Sequence, residues 1–234
     1  MKSLIQQLVQ DLKSNVDLEY KKAQQWFFKE GIDLYGARIG KVREIGREYF
    51  RKLDKPNKHQ VFLLAEELME IDKQETFIIA LQWVERFKKD FEPRDFKILE
   101  RWLKQHVNNW ARCDALCAGT MGHLMMIHPE AVKRTIPWRK SRNRWVRRAS
   151  AVSLIKPVRD GQLRAQAFSV ANDLLLDADD MVQKGYGWLL KEASVKFPRD
   201  VFDFVLDNKN EMPRVSLRYA IERFPEKKRK QAMA

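Results

Sequence analysis

Cysteine, glycine and long apolar runs are all scarce in this chain. Its two cysteines, Cys113 and Cys117, are too few for a disulfide framework and suit a reducing compartment. No stretch approaches the roughly 18 consecutive apolar residues of a membrane span. Met1 to Lys13 is amphipathic and lacks the apolar core of a signal peptide. With glycine held to nine residues and β-branched alternation nearly missing, a sheet protein is excluded as well. There is no Walker loop, no GxSxG and no GxGxxG, which removes the common nucleotide-binding and serine-hydrolase frameworks. These absences predict a soluble, cytoplasmic protein that uses no membrane.

What is abundant is positive charge. Lys and Arg number 45 against 32 Asp and Glu, for a formal net charge of +13 and a pI of about 9.7. So strong a basic excess favours a polyanionic partner, nucleic acid first. Apolar residues recur at three and four: Leu4, Leu8 and Leu12; Tyr20, Ala23, Phe27 and Phe28; Ile39, Val42, Ile45, Tyr49 and Leu53. The same spacing continues after Pro56, after Asp72 and after Pro93, and predicts further helices over 109–127, 129–138, 143–155, 162–175, 180–196, 198–206 and 213–223. Proline opens several of them and closes whatever precedes it. About a dozen short helices with short loops point to an all-α fold. The expected architecture is a right-handed solenoid of about six paired-helix, HEAT-like repeats with a concave basic face. No linker divides the chain, so 1–225 reads as a single domain and 226–234 as a charged, frayed tail.

Three stretches stand out from this scaffold. Asn108-Asn-Trp-Ala-Arg-Cys-Asp114 puts an indole and a carboxylate four residues apart, on one face of a helix. The bland reading is a core Trp and an Asp paired with a neighbour such as Arg112. Against it, Asp is disfavoured in mid-helix. From Lys133 to Arg148 run Lys133, Arg134, Arg139, Lys140, Arg142, Arg144, Arg147 and Arg148, with no acid after Glu130. Without acidic partners at i+4, these charges favour phosphate binding over a merely solvated face. Gly185-Tyr-Gly-Trp188 places two glycines inside a helix at a cost of about 1 kcal/mol each. That cost implies close approach of a ligand or of another helix.

Two clusters have the residue types of a metal site but not its spacing. Cys113, Cys117, His123 and His128 would fall on or just after one helix, which cannot wrap four ligands around one zinc ion. Asp177, Asp179 and Asp180 lack the glycine and terminal Glu of a calcium loop and read as helix caps. Neither a metal nor a cofactor is expected.

Taken together, Trp110-Ala-Arg-Cys-Asp114, Ser141-Arg-Asn-Arg-Trp-Val-Arg-Arg-Ala149 and Val182-Gln-Lys-Gly-Tyr-Gly-Trp-Leu-Leu-Lys-Glu192 resemble the AlkD-type DNA alkylation-repair glycosylases. The likeness is strongest over about 100–220. It implies a HEAT-like enzyme that hydrolyses the N-glycosidic bond of N3- or N7-alkylated purines in duplex DNA, working as a monomer without a cofactor. In that light Asp114 resembles the catalytic carboxylate, Trp110 and Trp188 the two active-site indoles, and Arg148 the arginine that grips the backbone at the lesion. Phe27, with Trp26 beside it, is the counterpart of an aromatic on the second helix; having no hydroxyl, it supplies only a ring. Arg43, on the helix after Tyr35-Gly36, joins Arg139, Lys140, Arg142, Arg144 and Arg147 as an expected DNA contact. The competing expectations are a non-catalytic HEAT-like nucleic-acid-binding scaffold and a scaffold for an acidic peptide.

Overall fold

The structure, a computed structural model, describes residues 3–234. Among these residues it is all-helical, apart from one isolated antiparallel bridge between Val16 and Ala37. The α-helices run α1 (Leu4–Ser14), α2 (Leu18–Phe27), α3 (Ile39–Arg51), α4 (Lys58–Glu70), α5 (Gln74–Val84), α6 (Asp95–His106), α7 (Trp110–Asp114) and α8 (Gly122–Ile127). They continue as α9 (Arg144–Val152), α10 (Ile155–Arg159), α11 (Arg164–Asp173), α12 (Asp180–Ala193), α13 (Pro198–Asn208), α14 (Arg214–Ala220) and α15 (Glu226–Met233). Short helices packed on their neighbours in chain order are the local arrangement of an α-solenoid. Residues 1–91 with 105–115 form one compact unit, and 92–104 with 116–234 form a second.

Helix starts follow their caps. Ser3 with Gln6 and Asn57 with Gln60 form capping boxes for α1 and α4. Asp17, Asn109, Asn143 and Asp179 cap α2, α7, α9 and α12. Asp72, the expected start of the fifth helix, instead takes a left-handed conformation, and α5 begins at Gln74. The single helix expected over 109–127 is three pieces, with a π-helical stretch, Ala115–Met121, between α7 and α8. The segment expected to be α-helical from 129 winds as a tighter 3₁₀ helix, Pro129–Lys140, with Pro137 inside it. Proline lacks the N–H that an α-helical ladder would use there. The end of the chain, read as frayed, is α15: Ala232 is buried, and the Lys228 ammonium lies over the rings of Phe202 and Phe224.

In the first unit α3 and α5 pack closely at Gly46. The Trp83 indole is wholly buried there and donates to the Gly46 carbonyl at 2.7 Å. A Cβ at Gly46 would lie 2.1 Å from the Gln82 side-chain oxygen and 3.2 Å from Cγ1 of Ile79, so a larger residue there would require Gln82 to move. Between α2 and α3 the chain is held by Glu75. This carboxylate, 2% exposed, accepts backbone N–H groups from Tyr35 at 3.1 Å, Gly36 at 2.7 Å and Ala37 at 3.2 Å. Gly36 has φ +118°, a region that L side chains rarely adopt. Three consecutive amides on one carboxylate make a stiff anchor for the segment that follows α2.

Candidate functional site

In the first unit the site is built on α7. Asn109 caps it through the Arg112 N–H at 2.9 Å. Arg112 itself is 1% exposed and ties the helix down. Its Nη1 donates to Asp72 at 2.5 Å and to the His106 carbonyl at 2.9 Å, its Nε donates to Gln74 at 3.3 Å, and its guanidinium lies over Phe77. Arg112 is therefore engaged by Asp72, Gln74 and His106, not by Asp114 as the bland reading of that helix supposed.

Pinned in this way, α7 presents Trp110 to the end of α2. The Trp110 ring stacks on buried Phe28 with centroids 5.0 Å apart and planes 4° from parallel. Phe27, 58% exposed, meets the same indole edge-on at 6.0 Å. The sequence-derived pair Phe27 and Trp110 is thus brought into contact. Asp114, half-buried, is the last residue of α7, where the α-helical ladder widens into the π-helical turn. That junction accounts for a carboxylate where helix propensity argued against one, and π-helical insertions recur at functional sites. Ala111 and Ala115, the residues next to Trp110 and Asp114, line a cavity of about 430 Å³ with Ile39, Ile78, Gln82 and Arg43. The Arg43 side chain is exposed, shares this cavity with Glu85, and makes no ion pair among the described residues.

In the second unit the two unusual glycines have separate reasons. A Cβ on Gly185 would stand 3.1 Å from Cγ of Arg148, and one on Gly187 would stand 2.9 Å from both the Ser216 carbonyl and Cβ of Tyr219. Gly185 therefore admits the Arg148 side chain, and Gly187 admits α14. Arg148 is 5% exposed, and its Nη1 donates to the Met181 carbonyl. Trp188, half-buried on α12, donates from Nε1 to Glu192 at 3.2 Å. Glu192, 3% exposed, also receives Arg223 at 2.8 Å and Arg159 at 3.2 Å. The indole orientation is thus set by a carboxylate that two arginines hold in place.

The basic run is less free than helix spacing suggested. Arg139 pairs with Asp173 at 2.5 Å, Arg144 with Asp179 at 2.7 Å and Asp180 at 3.2 Å, and Arg147 with Asp177 at 2.6 Å. These partners lie 30 to 36 residues further along the chain, so i+4 counting could not find them. The Lys184 ammonium, hydrogen-bonded to Asp180, holds that carboxyl below its usual range. Asp179 also caps α12, as expected. Lys133, Lys140 and Arg142 remain exposed with no acidic partner among the described residues. Trp138 and Trp145, which lie within the run, are buried, and Trp138 donates to Glu100 at 2.8 Å.

A family model described as DNA alkylation repair enzyme matches residues 8–224, nearly the whole chain. The chain belongs to that family. A solved structure from Enterococcus faecalis, described as a predicted DNA alkylation repair enzyme, has the same fold. Its TM-score is 0.79 at 13% sequence identity, over 91% of this chain and 98% of that one. Among curated proteins none matches. Membership assigns the chain a role in the repair of alkylated DNA, with DNA as the partner that role implies. No helix among the described residues is long and apolar enough to cross a membrane.

Two residues of consequence escaped the sequence reading. Glu192 stood inside the third motif but carried no role; its position four residues after Trp188 was the available signal. Arg112 gives no local signal beyond its nearness to Asp114, because its partners Asp72 and Gln74 are distant in sequence. Helix α12 also yields a stability prediction. Gly187→Ala should lower stability by about 1–3 kcal/mol through overpacking against α14, despite the better helix propensity of alanine. Denaturant unfolding of the variant checks this, and a gain in stability would contradict the close approach at Gly187.

Proposed function

We propose that this chain is a DNA glycosylase that hydrolyses the N-glycosidic bond of cationic N3- and N7-alkylated purines in duplex DNA. The observation that carries the reading is α7. There a half-buried carboxylate, Asp114, ends the helix one turn after an indole that Phe27 and Phe28 hold in place. An alkylated purine already bears positive charge, so it leaves with the electron pair of the C1′–N bond and needs no general acid. The costly species is the oxocarbenium-like sugar left behind. An ionised Asp114 lowers its energy and orients water for attack at C1′, and the water's second proton passes to the carboxylate or to solvent. Indole faces favour a neighbouring cation, which is the part proposed for Trp110 and Trp188. Arg43, Lys140 and Arg142 are proposed to meet backbone phosphates, as are Arg139, Arg144, Arg147 and buried Arg148 where their present partners yield.

The first test is direct. Wild-type protein incubated with duplex DNA carrying N7-methylguanine should release the free base well above the spontaneous rate, as read by chromatography. Release at the spontaneous rate, on DNA that the protein demonstrably binds, would reduce the chain to a binding scaffold.

A further inference from the structure

Helix α2 buries none of its ten residues. A helix this short is marginal in water, and in proteins its stability ordinarily comes from covering an apolar face. Here the ends carry the load: Asp17 caps the start, and the Glu75-anchored segment follows the finish. Leu18, Lys22 and Trp26 recur every four residues and so form one stripe. Leu18 is 67% exposed and Trp26 is 86% exposed, the most open of the large apolar side chains. Lys22 and, just past the helix end, Lys29 are exposed as well. Among the described residues the side chains of Lys22, Trp26 and Lys29 have no ion pair, hydrogen bond or ring contact. Two carboxylates lie near that face: Glu19, two turns before Trp26, and exposed Glu30, which follows Lys29.

We propose that this outer stripe of α2 is a DNA-contacting surface on which Trp26 wedges against a destacked base step while Lys22 and Lys29 meet the flanking phosphates. An exposed ring between unpaired lysines is the chemistry of stacking on bases along a polyanion. A second copy of this chain, already at net charge +13, would be repelled by the same lysines. The stripe is also continuous with the aromatic cluster of α7, because Phe27, next to Trp26, touches Trp110. The family's role supplies DNA as the occupant. The inference rests on DNA binding and not on the glycosylase chemistry, so the two fail separately.

The test uses the full chain and a fluorescein-labelled duplex containing a tetrahydrofuran abasic analogue, which cannot be cleaved by base release. Trp26→Ala should bind roughly five- to a hundredfold more weakly than wild type, and Trp26→Phe should recover most of the loss. Lys22→Ala and Lys29→Ala should each reduce the salt slope of binding by about one. Adding duplex should quench the part of the tryptophan emission that Trp26→Phe removes. Because Trp26 is exposed, unchanged melting of the variants serves as the folding control. Wild-type affinity in Trp26→Ala together with unquenched Trp26 emission overturns the proposal. So does a wild-type dimer in sedimentation that Trp26→Ala converts to monomer, which would assign the stripe to a second copy.

Discussion

Asp114→Asn should bind N7-methylguanine duplex about as tightly as wild type and release the base roughly a hundredfold or more slowly. The size follows from what is removed. Asparagine keeps the shape of the side chain and one oxygen but loses the full negative charge, and preorganised electrostatic groups of this kind are worth about two to three orders of magnitude in rate. Affinity should survive because a neutral amide repels phosphate less than a carboxylate does, and because the proposed phosphate contacts lie elsewhere. Single-turnover release with saturating protein separates the two quantities. Wild-type release by the variant would take Asp114 out of the chemistry. A parallel loss of binding and release would make it a structural residue of α7 instead.

Glu192→Ala should slow base release by about ten- to a hundredfold, and Glu192→Gln should stay within a few-fold of wild type. Glu192 touches no substrate in this reading; it is a positioning residue for Trp188. The 3.2 Å bond from Trp188 Nε1 is the indole's polar tether, and Arg159 and Arg223 hold the carboxylate that makes it. Misplacement of a site group by about 1 Å can cost a hundredfold in rate. The glutamine amide retains an oxygen that accepts the indole N–H, whereas alanine leaves none. Both arginines are well exposed, so water can take up their charge when Glu192 is lost, and the fold should tolerate the change. A purely structural role would lower the melting temperature of both variants in step with their activity. The positioning role predicts instead a drop in kcat and altered Trp188 emission in the alanine variant alone. Wild-type kcat in Glu192→Ala would remove the tether from the mechanism.

The helical class was legible because the apolar spacing is a local property of the chain. Each stripe, from Leu4-Leu8-Leu12 to Val42-Ile45-Tyr49, needs only its own turn geometry to be read. Caps were legible for the same reason: Asp179 acts within three residues of itself. Helix continuity was not. Whether 109–127 stays α-helical depends on packing several turns away, and the π-helical turn after Asp114 leaves no mark in a periodicity count. The candidate site divides along the same line. Asp114, Trp110, Trp188 and Arg148 were nameable from motifs, but what holds them was not.

By itself, then, the sequence determined an all-helical basic protein, the positions of its caps and breaks, and the residues that resemble a repair enzyme's. Tertiary structure alone decided that Arg112 anchors α7, that Arg159 and Arg223 hold Glu192, and that Arg139, Arg144 and Arg147 answer to Asp173, Asp179 and Asp177. The physical reason is range. Helix and cap preferences act over three or four residues, while a buried charge takes whichever partner the fold delivers, here 30 to 40 residues away.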